Sequence, residues 1–263
     1  VDKSIASTIG AGYISAINYS HYIVDMVSSV FATSIVTVFF PNIVKSFNEN
    51  GIEIVKSKTR KVLKIIIFIT IPATVLIAFF AKTIVKILFF RGAFNNESLE
   101  ITSMAVAIYS LALTFVCVKI ILFKVFYAMQ DTKSPTKSAI IAIIINIVFS
   151  VVLAKVMGYI GIIIATVIAA FISTILLIVM FNRKRGSLIG KKLWIDIMKI
   201  LIATVIMTIT IIIVGKIINN TFINNGILND ILKSIIAMLV GISVYLLSLF
   251  FMRFNFEPKK VEE

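Results

Sequence analysis

Long apolar runs alternate with short polar segments along almost the whole chain. A helix needs about 20 predominantly apolar residues to cross the hydrocarbon core of a bilayer. Seven runs meet or approach that length: residues 15–40, 62–80, 101–127, 139–154, 159–181, 195–215 and 231–252. The run over 139–154 is short, so we expect its helix to begin near Thr136. A partial run over 5–13 precedes them, and Gly10 and Gly12 within it predict a bend or a close helix contact. The pattern predicts an all-α, polytopic transmembrane helix bundle.

Composition excludes a soluble protein. Hydrophobic residues make up 60% of the 263 residues, charged residues 14%, and the mean hydropathy is +1.08. A soluble domain carries about 25% charged residues. The apolar runs extend from end to end, which also excludes an enzyme held by a single anchoring helix.

The net charge of +14 follows the membrane topology and does not indicate nucleic-acid binding. Sixteen Lys and Arg residues fall in the segments 45–61, 133–137, 183–199 and 253–260, which lie on one side of the predicted membrane. Six fall on the other side. Because cytoplasmic loops carry an excess of Lys and Arg, the first set and the C-terminus are predicted to be cytoplasmic.

The sequence contains few residues of the types that bind metals or cofactors. Cys117 is the single cysteine, and it lies within an apolar run, which argues against a disulfide framework or a metal cluster. The chain has one His and no Gly-rich phosphate-binding motif, so we expect no metal, cofactor or nucleotide. The chain begins at Val1 without an initiator Met or a signal peptide, and we expect it to be part of a longer protein.

Polar residues form a stripe along the first full run. Asn18, His21, Asp25 and Ser28 are spaced by three, four and three residues, so on a helix they share an arc of roughly 100°. The opposite face is apolar and is expected to meet lipid: Ile23, Val27, Val30 and Phe31. Two interpretations of the stripe stay open. It lines a substrate cavity, with His21 and Asp25 exchanging a proton or binding a cation, or it joins two helices by satisfying itself.

Three other features invite a functional interpretation. Lys119 lies deep in its run, and it either snorkels to the membrane surface or faces an anionic group in a cavity. The segments 82–94 and 183–199 are basic and amphipathic, and the second contains Trp194. Each is either a site for anionic membrane lipids or a solvated loop.

Several strings of the sequence resemble one known family. Val1-Asp2-Lys3 with Ala6-Ser7 is similar to its "VDR..AS" segment, and residues 14–19 resemble "VSALNYA". Phe90-Arg91-Gly92-Ala93-Phe94 is similar to "FERGAF", and residues 126–135, from Phe126-Tyr127-Ala128 through Gln130-Asp131 to Pro135, are similar to "FYARQDTKTP". The chain thus resembles the MurJ (MviN) lipid II flippase family of the multidrug/oligosaccharidyl-lipid/polysaccharide exporter superfamily. The resemblance extends from Val1 to about Phe181.

The resemblance implies a position within a larger architecture. Members have fourteen spans in two lobes, so the chain corresponds to the C-terminal lobe, with the N-terminal lobe as its partner. Residues 1–181 then supply the end of the seventh span and the eighth to twelfth. Residues 182–263 supply a basic cytoplasmic linker, two C-terminal spans and the tail.

The resemblance also implies site residues. The helix over 15–40 corresponds to one that lines the family's central cavity, where Asp25 matches an expected acid and Lys3 matches the basic residue of "VDR". The chain departs from the family at His21-Tyr22, where Asp-Arg is typical. Tyr cannot bind phosphate oxygens in the bidentate manner of Arg, which weakens the expectation of lipid II as the substrate.

The implied function is transport and not catalysis. A lipid-linked peptidoglycan precursor, lipid II, would be flipped across the bacterial cytoplasmic membrane by alternating access, with its polyprenyl tail in lipid. The resemblance leaves a coupling cation or proton open as a further partner. Two alternatives also stay open: a flippase for another polyprenyl-pyrophosphate-linked glycan, and a non-transporting membrane scaffold for cell-wall synthesis.

Overall fold

The described part of the protein is helical. The computed structural model describes residues 11–221 and 227–255, and these contain no β-strand. The helices are α1 (Ala11–Ser28), α2 (Ser34–Phe79), α3 (Ala81–Phe89), α4 (Asn96–Ser110), α5 (Leu113–Ala128), α6 (Lys133–Met157), α7 (Tyr159–Arg185), α8 (Lys191–Thr221) and α9 (Ile227–Phe251). A π-helical turn over Ser29–Thr33 joins α1 to α2 without a break in the helix.

Six of the seven predicted apolar runs correspond to helices long enough to span a membrane, and the seventh corresponds to a bent pair of helices. Six helical stretches in the described residues are long and apolar enough to cross a membrane. The pair α4 and α5, bent by 46°, meets the same length and hydropathy test when the two helices are taken together. The bend falls at Leu111 and Ala112, inside the run predicted as one span over 101–127. Of the partial run over 5–13, residues 5–10 lie outside the described residues, and the rest begins α1.

The basic segment between residues 40 and 62, which the charge pattern predicts to be a cytoplasmic loop, is helical. α2 continues through Pro41 and bends only at Gly51, whose φ of 77° lies in the left-handed region that favours glycine. The two spans it joins therefore run over Gly12–Glu49 and Gly51–Phe79. The prediction failed because hydropathy marks only the apolar length, whereas backbone hydrogen bonds carry a helix on through polar residues.

The helices pack around α5 and the second half of α2. α1 packs on α4 and α5, the hairpin of α6 and α7 packs on α5 and α4, and α8 packs on α2 with α9 beside it. Fully buried side chains at the centre include Ile66, Val106, Leu122 and Phe126. α6 is different, since its exposed positions are mostly Ile and Val, as expected of a helix that faces lipid.

The polar loops meet at one end of the bundle, here called the basic end. The guanidinium of Arg60 donates to the backbone carbonyls of Ser187 and Leu188 at 2.8 and 2.7 Å. Lys184 Nζ lies 2.6 Å from the carboxylate of Asp131. Segments that the charge pattern assigned to one side of the membrane therefore contact one another.

Aromatic contacts mark the opposite end, here called the aromatic end. Tyr13 stacks on Tyr159 with ring centroids 4.7 Å apart, and Tyr19 stacks on Phe89 at 4.4 Å. These contacts join the start of α1 to α7 and to α3.

Candidate functional site

The polar stripe of α1 lies on the border between the buried and the exposed sides of the helix. Asp25 is exposed, Asn18 and His21 are partly buried, and Ser28 is 4% exposed. The expectation that the opposite face meets lipid is wrong for Ile23, which is 4% exposed and belongs to the core. The reason is that a bundle in a membrane also has an apolar interior, so apolar character alone does not separate the lipid face from the core.

Two of the stripe residues have defined contacts. The ring of His21 stacks on Tyr109 of α4, with centroids 4.3 Å apart and planes inclined by 26°. Ser28 donates its hydroxyl to the carbonyl of Asp25 at 3.1 Å, so it bonds within its own helix. The π-helical turn begins at the next residue, Ser29. Such turns inside α-helices are frequent at functional sites.

Lys119 lines a cavity of about 450 Å³ among α4, α5, α6 and α7. Tyr109, Asn146, Thr166 and Ser173 line the same cavity, among apolar neighbours. The amide nitrogen of Asn146 donates to the hydroxyl of Thr166 at 3.1 Å. Tyr109 thus contributes to this cavity and also stacks on His21, which connects the cavity to the stripe of α1.

A charge interaction also connects the cavity and the stripe. Lys119 in α5 lies within the range of direct electrostatic interaction with Asp25 in α1. The structure therefore groups Asp25, His21, Tyr109 and Lys119, while Lys3 lies outside the described residues.

Sequence reasoning missed Tyr109, Asn146 and Thr166. Asn146 had a usable signal, because a lone amide in the apolar run over 139–154 is costly to bury without a partner. Thr166 gave none, since threonine hydroxyls commonly bond to their own helix, as this one also does to the carbonyl of Ile162. The role of Tyr109 could not be predicted from the sequence, because it depends on the packing of α4 against α1.

The Arg91-Gly92-Ala93-Phe94 motif forms a tight turn at the aromatic end. Gly92 has a φ of 61°, in the left-handed region. The ring of Phe94 meets Tyr19 edge-on, with centroids 6.1 Å apart. Arg91 is exposed and lines, with Tyr19 and Phe94, a cavity of about 590 Å³. The motif therefore packs against the residue that follows Asn18 on α1.

The motif at residues 126–135 ends α5 and starts α6. Gln130 has a φ of 58°, and its N–H donates to the carbonyl of Tyr127 while the N–H of Asp131 donates to that of Phe126. This is the Schellman arrangement that closes a helix C-terminus. Asp131 then accepts from the N–H of Ser134 at 3.1 Å, and Pro135 is buried in the first turn of α6, where no N–H is needed.

The Asp131 carboxylate also fixes this corner to α7. Burial acts to raise the pKa of Asp131, but hydrogen bonds from Lys184 and Ser134 and the charge of Lys184 outweigh it and lower the pKa. The hydroxyl of Ser134 donates at 2.8 Å and Lys184 Nζ lies at 2.6 Å. The motif is accordingly explained by its structural contacts.

Metal-ligating side chains are not clustered in the part of the chain that the structure describes. No group of three or more His, Cys, Asp or Glu residues there is arranged to hold a metal ion. The chemistry of the site thus rests on one carboxylate, one imidazole, one ammonium group and neutral hydrogen-bonding groups.

Comparison with known proteins identifies the family. The family model described as "Lipid II flippase MurJ" matches residues 1–232. A probable lipid II flippase MurJ of Rhizobium tropici is 30% identical over 125 residues, which are 47% of this chain and 23% of that protein. The corresponding protein of Buchnera aphidicola subsp. Baizongia pistaciae is 29% identical over 131 residues, 49% of this chain and 25% of that protein.

Solved structures agree with this assignment. A structure described as "Lipid II flippase MurJ, inward closed conformation" superposes with a TM-score of 0.78 at 27% identity, covering 96% of this chain and 50% of that one. A structure described as a multidrug resistance MATE family transporter of the MOP superfamily gives a TM-score of 0.61 at 12% identity, which shows a shared fold alone. The chain spans half the length of the solved flippase and shares its helical architecture. It belongs to the lipid II flippase MurJ family.

Proposed function

We propose that this chain is the C-terminal lobe of a flippase that moves lipid II across the bacterial cytoplasmic membrane by alternating access. Its family membership and its match to half of a solved flippase support this proposal. The lobe makes and breaks no covalent bond. Its task is to supply one wall of a chamber that opens to each side of the membrane in turn.

The distribution of basic residues supports an orientation for the lobe. The basic end carries the contacts of Arg60, Lys184 and Lys64 with loop or terminal segments, whereas aromatic rings dominate the other end. We place the basic end and the C-terminus in the cytoplasm, because Lys and Arg are retained on that side during insertion. The aromatic end then faces outward.

The exposed face of α1 supports a wet chamber beside it. Asp25, Ser29 and Thr33 are exposed along one side, together with Tyr22 at 66% and Met26 at 58%. A carboxylate on the lipid face of a span costs several kcal/mol, of order 2.5 kcal/mol or more at its centre. This mixed surface therefore fits contact with water and with the N-terminal lobe better than contact with lipid.

The grouping of charges supports a role in passage of the headgroup. The pyrophosphate of lipid II needs cations along its path to avoid crossing hydrocarbon unpaired. In this proposal Lys119 supplies one such cation from the wall of its cavity, and Asp25 lies within electrostatic range of it. Tyr22 stands where the family typically has Arg, so in this chain more of the phosphate binding falls to Lys119 and to the N-terminal lobe.

The single observation that carries the proposal is the exposed Asp25 in a membrane-spanning helix of a flippase-family protein. The test replaces Asp25→Asn in the full-length protein and asks whether it rescues a bacterium depleted of its own flippase. We expect loss of rescue at normal membrane levels. Glu97→Gln is the matched control, because Glu97 is an exposed acid in the first turn of α4, outside the stripe.

The two variants distinguish the loss of a functional carboxylate from the loss of any exposed negative charge. Rescue by Glu97→Gln with failure of Asp25→Asn supports the site. Normal growth with Asp25→Asn at normal protein levels contradicts the assignment of Asp25 to the transport chamber.

A further inference from the structure

The start of α8 combines exposed basic and exposed apolar side chains at the basic end of the bundle. Lys191 and Lys192 are exposed in its first turn. Trp194 and Ile195 follow, each 57% exposed, and Met198 is 48% exposed. Residues three or four positions apart are neighbours on a helix, so the lysines and the apolar side chains form one continuous surface. We call these five residues the α8 surface.

The buried side of the same turns fixes the orientation of the α8 surface. Leu193, Asp196 and Ile200 are 5%, 7% and 0% exposed. The carboxylate of Asp196 lies 2.6 Å from Nζ of Lys64 in the core helix α2. α8 cannot rotate to bury its exposed apolar side chains without breaking this buried ion pair, which is costly.

The turn that precedes α8 is also held to the core. Arg60 of α2 donates to the backbone carbonyls of Ser187 and Leu188. The N–H of Leu188 donates to the side-chain oxygen of Asn182 at 2.8 Å, and Leu188 is fully buried. Loops that only connect helices are usually more mobile, whereas these contacts hold the first turn of α8 in place.

The positive charge of this segment is not balanced within it. Residues 183–199 contain six Lys or Arg residues and a single acid, Asp196. That acid is buried and paired with Lys64. The exposed side of the segment therefore attracts anions.

The α8 surface lies at the depth of the lipid headgroups. The apolar run over 195–215 is about 31 Å long at about 1.5 Å per residue, close to the roughly 30 Å of a hydrocarbon core. Trp194 immediately precedes this run, and Trp is enriched at the membrane–water interface. Lys191 and Lys192 lie about one helical turn, roughly 5 Å, further toward the water. Their ammonium groups are thus level with lipid phosphates, and the apolar side chains are level with the acyl chains.

We propose that the α8 surface binds an anionic phospholipid of the leaflet at the basic end. The phosphate lies at Lys191 and Lys192, because ammonium groups bind phosphate oxygens by charge-assisted hydrogen bonds. The acyl chains lie along Ile195 and Met198. A zwitterionic lipid offers the same acyl chains without a net negative charge, so it competes poorly. This inference does not rest on the proposed transport function.

The experiment measures lipid preference at the α8 surface itself. The full-length protein carries an environment-sensitive fluorophore at Met198→Cys, and Cys117 is buried and should not react. It is reconstituted in vesicles of phosphatidylglycerol and phosphatidylcholine in which one lipid or the other carries bromine atoms that quench the fluorophore. We expect phosphatidylglycerol to be preferred by at least about fivefold, the effect of one lysine near an anionic surface. Added salt should reduce the preference, because it screens exposed charges.

Matched variants test which residues cause the preference. In Lys191→Gln with Lys192→Gln the preference should fall close to one. In the control, Lys133→Gln with Lys137→Gln, it should persist, because these exposed lysines lie at the same end of the bundle but at the start of α6. The salt dependence is measured on the protein with both lysines of α8 intact, so it tests the proposal even if the α8 variant does not accumulate.

Four results would overturn the proposal. Three are equal quenching by the two lipids when Lys191 and Lys192 are intact, a preference that survives their replacement, and a preference that salt does not reduce. The fourth is an equal loss of preference in both double variants, which would trace the preference to the net charge of the protein and not to the α8 surface.

Discussion

Lys64 in α2 and Asp196 in α8 form a buried ion pair, with Nζ and the carboxylate oxygen 2.6 Å apart and the side chains 9% and 11% exposed. Lys64 also lies 4.4 Å from the centre of the Phe254 ring and donates to the carbonyl of Asn255. One lysine therefore joins the start of α8 and the segment after α9 to the core helix α2. This contact fixes the two C-terminal helices at the basic end.

Removal of either partner of this pair should destabilise the protein strongly. We expect Lys64→Ala or Asp196→Ala to lower the free energy of unfolding by about 3 to 5 kcal/mol, because each leaves an uncompensated buried charge. Lys64→Met with Asp196→Leu should be much less damaging, since it leaves no charge behind. Thermal unfolding in detergent measures this, and a double variant as unstable as the sum of the single ones would contradict the pairing.

The hairpin of α6 and α7 depends on the absence of a side chain at Gly161. A Cβ there would overlap with the backbone carbonyl oxygen of Leu153, which cannot move without distorting α6. Gly161→Ala should lower the free energy of unfolding by about 1 to 3 kcal/mol, as is typical of overpacking, and should lower the melting temperature. Gly215→Ala is the matched control, because it has open space and gains helix propensity. Equal melting temperatures for the two variants would show that α6 and α7 accommodate a side chain at position 161 without loss of stability.

The corner at Asp131 should weaken in acid. Its pKa is held below the ordinary value of 3.8, so its ionised form stabilises the fold above that value, and this stability is lost as the pH falls through the lowered pKa. Lys184 is half exposed, which limits the effect to about 1 kcal/mol or less. Near neutral pH the melting temperature of the unmodified protein should be higher than that of Lys184→Gln. This difference in melting temperature should disappear below about pH 4. A difference in melting temperature that increases in acid would contradict a stabilising interaction between Asp131 and Lys184.

The stacking of His21 on Tyr109 allows the structural and functional roles of the imidazole to be separated. His21→Phe keeps an aromatic ring over Tyr109, so we expect a stability within about 1.5 kcal/mol of the unmodified protein. If the ring nitrogens serve the transport chamber, this variant loses rescue while it folds. His21→Ala should lose both, by removing the stacked pair worth about 0.5 to 1.5 kcal/mol. Full rescue by His21→Phe would assign His21 to packing alone.

The spans and the gathering of basic residues at one end of the bundle could be predicted from the sequence because a bilayer imposes a simple rule. Each crossing needs a long apolar run, and basic residues gather on one side. The contacts of Arg60 and Lys184 at one end agree with that pattern. The helix after Phe40 could not be predicted in this way, because a polar helix outside the hydrocarbon has the same hydropathy as a loop.

The stripe on α1 was predicted as a set of residues but not in its surroundings. Helical spacing alone placed Asn18, His21 and Asp25 on one arc. It did not reveal that Ser28 is buried and that Asp25 is exposed, since burial depends on where α4 and α5 pack. In hydrocarbon, core and lipid face are equally apolar, so periodicity does not distinguish them.

Sequence by itself determined that this is a membrane-spanning helical protein, which motifs it shares with its family, and which polar residues must avoid lipid. Tertiary structure alone decided that Tyr109 lies over His21, that Lys119 and Asn146 line one cavity, and that Arg60 bonds to the segment after α7. The physical reason is the distance along the chain over which each property acts. Hydropathy and helical period are local properties of the chain, whereas these contacts join helices whose relative placement depends on the packing of the whole bundle.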